Sequence, residues 1–530
     1  MIKTELHPIS TRPALYTKHL PLALYQTQQV QDLDRLAIQA QGISGFLLMS
    51  KAATATFDVI CRKFDGQGSK HLTAFCGVGN NGGDGYVIAS LALQAGWSVE
   101  VILVGDCDKL TGDALIAYQQ AVAAGVPIQY WVAGKCELPL QGVVVDALLG
   151  IGLKGNVRED MSEVIGDINQ LGLPVCSVDI PSGLCGDTGA VLGSAVKANF
   201  TVTYIGVKQG LLTAQGPNMS GELFFAGLDV PDVVYQQIPE STMRIDRCYV
   251  DRTLGVRDRS AHKGMFGHVL VVGGDSGMGG AAIMASEAAG YSGAGLVTVL
   301  TRGEHVSPLL ARYPECMVID ADKHVTAIEE VLGRASVVVI GPGIGKGAWA
   351  VGLLQKVFET DLPVVLDADG LNFLASASGK PFRQRGNWIL TPHSGEAARL
   401  LNISVSEVER DRFASVRMLS QQYSAITVLK GAGTLVASSP IHDRSNVYLA
   451  NVGNPGMAVG GMGDVLSGVI GGLIAQGYPL RDAASLAVWL HGKAGDCAVK
   501  EFGERGLRAT DLLTYIRRLA NGVQVLCKHR

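Results

Sequence analysis

Two series of short β-branched runs dominate this sequence, and most runs end at a glycine or an acidic residue. Between residues 72 and 205 such runs, among them LTAFC, SVEVILVG, GVVVDALLG and PVCSVDIP, alternate with longer stretches compatible with helices. The same alternation restarts after residue 266, from GHVLVVGG to AITVLKGAGTLVAS. Alternation of this kind is typical of parallel strands joined by helical crossovers. The sequence therefore predicts an α/β protein with two separate sheets.

The segment between the two series marks a domain boundary. Residues 230–260 contain two prolines, many charges and weak periodicity. A chain of 530 residues also exceeds the roughly 250 to 300 residues at which single cores stop growing. We therefore expect one domain over residues 1–240 and a second over residues 241–530. The part of the first domain before residue 70 is expected to form helices that pack on its sheet.

Composition and charge exclude several classes of function. The formal charge of -4 gives no broad positive field, so nucleic acid is not expected as a partner. No stretch reaches the roughly 18 uninterrupted apolar residues of a membrane span, and the charged N-terminus does not resemble a signal peptide. The ten cysteines include no Cys-x-x-Cys pair and are expected to be reduced thiols. We expect a cytoplasmic protein without a membrane partner.

One loop of the first series, GVGNNGGDGY at residues 77–86, combines five glycines with Asn80, Asn81 and Asp84. Three of the glycines have the Gly-x-Gly-x-x-Gly spacing of nucleotide-binding folds, in which backbone N–H groups approach a phosphate. The amide and carboxylate oxygens add ligands suited to a cation. The loop is therefore predicted to hold a nucleotide-like ligand, with a capped glycine turn as the structural alternative.

Two acidic residues end apolar runs of the same series. Asp146 lies in VVVDALLGIG and Asp179 in SVDIPSG. Because open α/β sheets bind ligands at the carboxyl ends of parallel strands, both carboxylates are predicted to meet the glycine loop in one pocket. Residues 150–156, GIGLKGN, add backbone donors and Lys154 to the same crevice. Each acid taken alone is also compatible with a helix cap.

The most specific chemical pattern lies at residues 454–475, NPGMAVGGMGDVLSGVIGGLIA. A glycine cluster leads into Asp464 and then into an apolar stretch with helical spacing. Backbone N–H groups at that helix start can stabilise a transferring phosphoryl group, and Asp464 can accept the proton of an attacking hydroxyl. The pattern therefore predicts phosphoryl transfer to an alcohol. A glycine-rich packing helix with Asp464 as its cap is the structural alternative.

Three further segments of the second series lie at predicted strand ends. Residues 428–434, VLKGAGT, offer Lys430 and a glycine turn for the phosphates or ribose of a nucleotide, or equally a β-hairpin turn. Residues 341–345, GPGIG, and the segment TPHSGEAARLL with His393 and Glu396 follow other runs. A lone histidine such as His393 is more often structural than catalytic.

In this order, the motifs resemble those of the bifunctional NAD(P)H-hydrate repair enzymes over nearly the whole chain. The resemblance rests on NNGGDG, VVDALLGIG and DIPSG in the first half. In the second half it rests on HKGMFGHVLVVGG, GPGIG, TPHSGEA, LKGAGT and NPGMAVGGMGDVLSG. It implies a Rossmann-like, three-layer αβα NAD(P)H-hydrate epimerase domain followed by a ribokinase-like, ADP-dependent NAD(P)H-hydrate dehydratase domain.

For the first domain the resemblance implies that NADHX and NADPHX, hydrated across the C5–C6 bond of the nicotinamide ring, are substrates. It also implies a potassium ion held by Asn81, Asp146 and Ser182. Asp179 is predicted to handle the proton as the R and S forms interconvert at C6. The residues that the resemblance places against the hydrate are Asn80, Asn81, Gly82, Gly83, Asp84, Gly150, Ile151, Gly152, Leu153, Lys154, Gly155, Asn156 and Asp179.

For the second domain the resemblance implies that ADP phosphorylates the C6 hydroxyl of the S form, giving AMP, and that loss of phosphate restores the double bond. Asp464 is then the catalytic base, and Mg²⁺ is expected with the nucleotide. The residues placed against the S form are Gly343, His393, Ser394, Gly395, Glu396, Ala397, Ala398, Arg399 and Asp464. The residues placed against ADP are Lys430, Gly431, Ala432, Gly433, Thr434, Asn454, Pro455, Gly456, Met457, Ala458, Val459, Gly460, Gly461, Met462 and Gly463.

Two other functions fit parts of the same pattern. A small-molecule kinase of ribokinase-like fold, with an attached nucleotide-binding domain, would release a stable phosphorylated product instead of free phosphate. The second alternative is a first domain that only senses ligands and has no catalytic activity. The paired Asp146 and Asp179 argue against this alternative. The sequence leaves open the preference between NADHX and NADPHX and between ADP and ATP. It also leaves the oligomeric state open, and a homo-oligomer is expected.

Overall fold

The computed structural model describes residues 14–64, 70–135, 138–382, 384–439 and 447–522. Residues 1–13, which belong to the N-terminal segment not expected to be a signal peptide, lie outside this range, as do Cys136 and Cys527. None of the eight cysteines within the range forms a disulfide bond. The chain divides into two units, Met1–Thr242 and Met243–Arg530. Over the described part of both, no helix combines the length and the apolar character that crossing a membrane requires.

The first unit alternates strands and helices, and all pairings within its main sheet are parallel. Its strands are β1 (Ala23–Tyr25), β2 (His71–Cys76), β3 (Ser98–Leu103), β4 (Ile128–Tyr130), β5 (Val143–Ala147), β6 (Val175–Val178), β7 (Phe200–Tyr204), β8 (Val207–Lys208) and β9 (Glu222–Ala226). Its helices are α1 (Thr27–Gln41), α2 (Gly45–Phe64), α3 (Asn80–Gln94), α4 (Gly112–Ala123), α5 (Glu159–Gln170), α6 (Gly216–Ser220) and α7 (Asp232–Tyr235).

The strand order of the first sheet, β4-β3-β2-β5-β6-β7-β9, explains where its loops converge. The chain runs outward from β2 to β3 and β4, and then crosses back to β5 on the other side of β2. The direction of winding therefore reverses between β2 and β5. In such sheets the crevice at the reversal, outside the carboxyl ends of the strands, is the usual ligand site. The glycine loop after β2 and Asp146 near the end of β5 both lie there.

Burial on both faces accounts for the apolar runs of the first sheet. Every residue of β5 and β6 is buried, as expected for parallel strands covered by helices on either side. The expected early helices are present as α1 and α2, and α2 packs against the sheet and α3. Strands β4, β7 and β9 lie outside the runs singled out in the sequence.

The second unit repeats this architecture with a longer sheet. Its strands, after β10 (Thr242–Arg244) at the division, are β11 (His268–Val272), β12 (Leu296–Thr301), β13 (Met317–Asp320), β14 (Val337–Ile340), β15 (Val364–Leu366), β16 (Trp388–Leu390), β17 (Ile426–Leu429), β18 (Thr434–Ala437) and β19 (Val447–Ala450). Its helices are α8 (Arg247–Thr253), α9 (Gly279–Ser292), α10 (Val306–Arg312), α11 (Val325–Leu332), α12 (Ala348–Phe358), α13 (Ala368–Ala375), α14 (Ser394–Leu401), α15 (Val405–Arg410), α16 (Arg412–Tyr423), α17 (Met462–Ala475), α18 (Leu480–Phe502) and α19 (Leu512–Ala520).

The second sheet runs in the order β13-β12-β11-β14-β15-β16-β17-β18-β19. Its winding reverses between β11 and β14, so the loops after these two strands meet at a second crevice. The strands from β13 to β17 are parallel, whereas β17, β18 and β19 pair antiparallel. The run AITVLKGAGTLVAS, expected to continue the parallel sheet, is therefore a β-hairpin. The prediction of a two-domain α/β protein is confirmed.

Glycines inside α17 allow this helix to pack closely on its neighbours. A side chain at Gly468 would place its Cβ 2.1 Å from the carbonyl oxygen of Ala285 on α9, and one at Gly471 would lie 2.4 Å from Val339 on β14. Both distances are shorter than any van der Waals contact. Close packing therefore explains the glycines within α17. It does not explain the glycines that precede Asp464.

Candidate active sites

The carboxyl edge of the first sheet forms one wall of a cavity of about 700 Å³. Helices α1 and α2 supply further walls, and the N-terminus of α3 opens into it. The predicted residues that line the cavity are Asn80, Asn81, Asp84, Gly150, Ile151, Gly152, Leu153, Lys154, Asn156 and Asp179. Its volume suits a nucleotide-sized ligand.

The glycines of the 77–86 loop divide into two groups by what surrounds them. A Cβ on Gly77 would lie 2.1 Å from the carbonyl oxygen of Leu148, and one on Gly82 would lie 1.9 Å from that of Gly77. A Cβ on Gly83 would lie 2.5 Å from Met49. These three glycines therefore serve packing, and Gly82 and Gly83 do not line the cavity. Gly79, with open space where a side chain would be, keeps the α3 N-terminus accessible to a ligand.

Asn81 lines the cavity, and Asp146 and Ser182 lie next to it around the backbone of Leu149. Asp146 is fully buried and accepts hydrogen bonds from the backbone N–H and the hydroxyl of Ser182, at 2.9 and 2.5 Å. The Leu149 carbonyl accepts from Asn81 Nδ2 at 3.1 Å, and the Leu149 N–H donates to Ser182 Oγ at 2.8 Å. Burial raises the pKa of Asp146, and its hydrogen bonds oppose that effect. Carboxylate, hydroxyl and carbonyl oxygens are thus concentrated at one buried point, with the Asn81 side-chain amide beside them.

Asp179 follows β6 and is bound to a buried lysine. The ammonium of Lys208, whose side chain is only 1% exposed, forms an ion pair with the Asp179 carboxylate. Thr203 Oγ1 and the Tyr204 carbonyl accept further hydrogen bonds from that ammonium. Asp179 has a φ of 66°, in the left-handed region that costs a non-glycine residue strain. The backbone therefore aims this carboxylate at Lys208 and the cavity rather than along the strand.

In the second unit, three loops pack backbone against backbone at the crevice between β11 and β14. A Cβ on Gly273 would lie 2.0 Å from the Pro342 carbonyl oxygen, and one on Gly341 would lie 1.9 Å from that of Asp367. Gly343 has a φ of 58° and faces the Met278 carbonyl in the same way. Side chains at these positions would push the loops apart. The glycines thus hold Asp367, which follows β15, at the centre of the crevice.

Asp367, Lys430 and the start of α17 form the charged centre of this second site. Lys430 Nζ lies 2.8 Å from Asp367 Oδ1 and 3.9 Å from Glu396 Oε2. The position of a Cβ on Gly463 lies 3.3 Å from both Asp367 Oδ2 and Lys430 Nζ. Asp464, the next residue, is therefore adjacent to this ion pair. The cap of α17 is Gly461, without a side-chain cap hydrogen bond, so Asp464 is not the cap that the structural alternative required.

The electrostatic surroundings shift the pKa of both Asp464 and Lys430. Burial raises the pKa of Asp464 to about 7, the charge of Asp367 adds to the rise, and Lys430 opposes it. For Lys430, burial alone would lower the pKa, but Asp367 and Glu396 outweigh burial and the pKa is raised. Lys430 therefore stays charged, while Asp464 changes protonation near neutrality, as a general base should.

His393 is the cap of α14, and this structural role leaves one ring nitrogen available. Its Nδ1 accepts hydrogen bonds from the backbone N–H groups of Gly395 and Glu396, at 3.0 and 3.3 Å. Glu396 returns a hydrogen bond by accepting from the His393 N–H at 2.8 Å. Burial and the neighbouring Lys430 lower the pKa of His393. The neutral ring then carries its proton on Nε2, which lies 3.5 Å from Glu396 Oε1, and the His393 side chain is exposed enough to donate to a ligand.

The remaining residues predicted on α14 have different surroundings. Ala397 is fully buried in the core, which does not favour the predicted contact with the S form. Ser394 donates its hydroxyl to Glu409. Gly395, Ala398 and Arg399 line a shallow depression of about 630 Å³ on the surface of the second unit.

The turn that carries Lys430 is the hairpin between β17 and β18, so the hairpin interpretation is confirmed. The hairpin also places Lys430 in the site, because the buried Arg412 fixes the backbone at Leu429 and Lys430. Arg412 donates to the carbonyls of Leu429 and Lys430, at 3.2 and 3.1 Å. Gly431, with a φ of 142°, passes against the same guanidinium. Gly431, Ala432 and Gly433 complete the turn, and Thr434 begins β18.

The segment from Asn454 to Gly463 leads from β19 to α17 and is partly open. Asn454 Oδ1 accepts from the Gly456 N–H and its Nδ2 donates to Asp496, both at 3.1 Å. Pro455, Gly456 and Met457 form a short 3₁₀ turn. Val459 is 43% exposed and Gly460 has open space beside it, whereas Met462 is buried. Residues 458–460 are therefore the exposed part of this segment next to α17.

Comparison with known proteins identifies the family. A family model described as NAD(P)H-hydrate dehydratase matches residues 269–518, and one described as YjeF-related protein N-terminus matches residues 46–210. A bifunctional NAD(P)H-hydrate repair enzyme of Coxiella burnetii is 48% identical over 94% of this chain and 99% of its own. The chain belongs to the bifunctional NAD(P)H-hydrate repair enzymes.

Two further proteins similar to this repair enzyme come from Escherichia coli K12 and Bacillus subtilis. The bifunctional NAD(P)H-hydrate repair enzyme of Escherichia coli K12 is 40% identical over 95% of both chains. The crystal structure of an ADP/ATP-dependent NAD(P)H-hydrate dehydratase from Bacillus subtilis, co-crystallised with ATP and Mg²⁺, is 26% identical. It covers 53% of this chain and 98% of its own, with a TM-score of 0.46.

Several residues of the repair enzyme's two sites were not predicted from the sequence. They are Asp34, Lys208, Asp367 and Arg412. Asp179 was predicted because an acidic residue directly follows an apolar run, and Asp367 in VVLDADG has the same pattern. Lys208 could have been noticed as a lysine within the apolar segment YIGVKQGLL. Arg412 gives no local signal, because its buried position depends on the hairpin 17 residues away.

Proposed function

We propose that the second unit of this repair enzyme uses ADP to phosphorylate the C6 hydroxyl of S-NADHX or S-NADPHX and then eliminates phosphate. The observation that carries the proposal is the position of Asp464 beside the Asp367–Lys430 ion pair at the start of α17. Such an arrangement supplies a base for the hydroxyl and positive charge for the phosphoryl group.

The chemistry follows from these charges. Asp464 accepts the proton of the C6 hydroxyl as its oxygen attacks the terminal phosphorus of ADP, and AMP leaves. The free N–H groups of the first turn of α17 and the Lys430 ammonium offset the negative charge of the transferring group. The ring nitrogen then expels phosphate, and loss of the C5 proton restores the double bond. Phosphorylation is required because hydroxide is a poor leaving group.

ADP would be held by the two glycine segments next to this centre. The 430–434 turn and the 454–463 segment offer backbone N–H groups and open space, while Gly343 and the His393 Nε2–H border the hydrate side. The acceptor oxygens of a diphosphate suit Mg²⁺, which usually binds nucleotides through phosphates and water. Mg²⁺ would supply charge neutralisation there.

For the first unit we propose epimerisation of R-NAD(P)HX and S-NAD(P)HX, with Asp179 handling the C6 hydroxyl proton. The Lys208 ammonium lies beside this carboxylate, and both residues line the cavity. Asn81, Asp146 and Ser182 would hold potassium, since the buried Asp146 forms no ion pair with a lysine or arginine among the described residues. A monovalent cation would supply the missing charge. The ion would support the loop that carries Leu149 and Gly150.

Joining both activities in one chain has a chemical reason. Hydration of the nicotinamide ring gives both epimers, and the dehydratase consumes only the S form. Epimerisation converts the remaining R form into a usable substrate. A homo-oligomer and a cytoplasmic location remain predictions, which light scattering and cell fractionation would test.

The decisive experiment incubates the purified protein with S-NADPHX and ADP and follows the recovery of reduced-nicotinamide absorbance. Repair predicts NADPH, AMP and free phosphate in equal amounts. A small-molecule kinase, the second candidate, would leave a stable phosphorylated product and no NADPH. Asp464→Ala should abolish recovery, whereas Asp361→Asn should not, because the Asp361 side chain is fully exposed. Full activity of Asp464→Ala would refute the assignment of the base.

A further inference from the structure

Asp34 places a carboxylate on the buried face of a helix that otherwise presents apolar side chains there. On α1, Val30, Leu33 and Ala37 are buried and follow the three- and four-residue spacing of one helix face. Asp34 stands four residues after Val30 and three before Ala37, so its side chain shares that face and is partly buried there. Aspartate is rarely kept in such a position without a partner or a role, because burial disfavours its charge.

The start of α1 is fixed to the loop that follows β6. Thr27 donates its backbone N–H to Asp187 Oδ1 at 2.6 Å and its hydroxyl to Asp187 Oδ2 at 3.1 Å. Gln26 and Gln29 close the helix start with a capping box. This loop begins at Asp179. Helix α1, which carries Asp34, is therefore anchored to the same loop that carries the Asp179 carboxylate.

Asp34 and Asp179 line the same cavity, together with Asp84 and Lys208. Lys208 is bound to Asp179, whereas the described residues give Asp34 and Asp84 no ion pair or hydrogen bond of their own. The charges of Asp179 and Lys208 both act on the Asp34 carboxyl. The other charged or titratable groups that line the cavity or act on Asp34 from neighbouring elements are Asp113, Lys154, Arg158, Tyr204 and Tyr235.

We propose that Asp34 is the proton donor to the ring nitrogen N1 during epimerisation of the hydrate, acting together with the Asp179 carboxylate. This inference rests on the proposed epimerase function of the first unit. It gives a catalytic role to a residue of α1, which precedes the family match at residues 46–210.

The step balances without any further reactant. C6 of the hydrate carries both a hydroxyl and N1, so the carbon can invert by opening and reclosing the ring. As Asp179 takes the hydroxyl proton, C6 and oxygen form a carbonyl, the N1–C6 bond breaks, and N1 takes the proton of Asp34. Rotation about the C5–C6 bond presents the other face of the aldehyde. On reclosure N1 attacks C6 and returns its proton to Asp34, while Asp179 returns one to the oxygen.

Asp34 fits this role better than Asp84 for a physical reason. Burial raises the pKa of Asp34 to about 6, so it can both give and retake a proton near neutrality. Burial and the charges of Asp179 and Asp34 raise the pKa of Asp84 well above its ordinary value. Asp34, whose pKa lies near neutrality, is therefore the carboxyl suited to exchanging a proton in each turnover.

The test follows conversion of pure R-NADPHX to the S form by chromatography, with R-NADPHX binding measured by calorimetry. Asp34→Asn should lower kcat by about a hundredfold or more and leave the dissociation constant within about threefold, which shows that the site is intact. Asp34→Glu should recover at least about tenfold over Asp34→Asn, because it restores a carboxyl group. The matched control is Asp32→Asn, since Asp32 lies on the same helix, is paired with Arg35 and does not line the cavity.

Each result separates the inference from the function on which it rests. If the unmodified protein does not convert the R form, the proposed epimerase function fails. If it does, and Asp34→Asn keeps kcat within about twofold, the role of Asp34 alone is refuted. A loss confined to binding, or an Asp34→Glu variant no faster than Asp34→Asn, would refute it as well.

Discussion

Replacing Asp464 by asparagine should make the second unit more stable, and only at pH values where the carboxylate is charged. Burial raises the pKa of Asp464 from its ordinary 3.8 to about 7 in the folded protein. The fold therefore disfavours the ionised form, and stability is lost as the pH rises from about 4 through about 7. A shift of about three pKa units corresponds to about 4 kcal/mol at higher pH.

Asparagine has nearly the same shape and no charge to lose, so the variant avoids this cost. The difference in free energy of unfolding between Asp464→Asn and the unmodified protein should be close to zero near pH 4 and about 4 kcal/mol at pH 8. For a unit of this size that corresponds to an increase in Tm of roughly 8 °C. Thermal unfolding of the full chain over this pH range measures the difference in Tm. The transition of the second unit is identified as the one whose Tm rises when ADP is added.

A Tm difference that stays constant between pH 5 and pH 8 would refute the reasoning, because a structural change unrelated to charge would not follow pH. Asp361→Asn removes an exposed carboxylate in the same unit and should show no such growth. The dehydratase rate of Asp464→Asn should meanwhile fall by about a hundred- to ten-thousandfold. A variant that is more stable and inactive is the expected sign of a site where function opposes stability.

Three further measurements test other parts of the two sites. The dehydratase rate should rise with pH through about 7 as Asp464 loses its proton, and a pH–rate profile that is flat between pH 6 and pH 8 would contradict this. Lys430→Met should destabilise the second unit by about 3 to 5 kcal/mol by leaving Asp367 buried and unpaired; adding Asp367→Asn should recover part of that loss in a double-mutant cycle by denaturant unfolding. Ser182→Ala should raise the potassium concentration needed for half-maximal epimerase rate by about tenfold, and an unchanged requirement would place the ion elsewhere.

The architecture was predictable because the buried runs of both sheets are local in sequence. Runs such as VVVDA and VVVI report burial on two faces directly, and the acids and glycines at their ends mark the carboxyl edges where Asp146 and Asp179 were predicted. Strands β4 and β9 lack that signal because exposed and polar residues interrupt them. Periodicity alone also could not show that the run around Lys430 turns back on itself as a hairpin.

The sites were harder to predict, because their partners meet only through tertiary structure. Lys208 pairs with Asp179 across 29 residues and Lys430 with Asp367 across 63. Neither lysine fits the pattern of an acidic residue directly after a strand, which located the carboxylates. The packing role of Gly82 and Gly83 was equally hidden, since a glycine required by a neighbouring backbone looks in sequence like one required by a ligand.

The position of α1 ahead of the family match has a practical consequence for anyone who expresses the first unit alone. A fragment that starts at residue 46 would lack Thr27, which ties the helix to Asp187, and with it one side of the cavity. Water would then reach the Lys208–Asp179 pair and weaken it by raising the local dielectric constant. Such a truncated protein could keep its sheet and still appear inert, and that result would say nothing about the activity of the intact polypeptide.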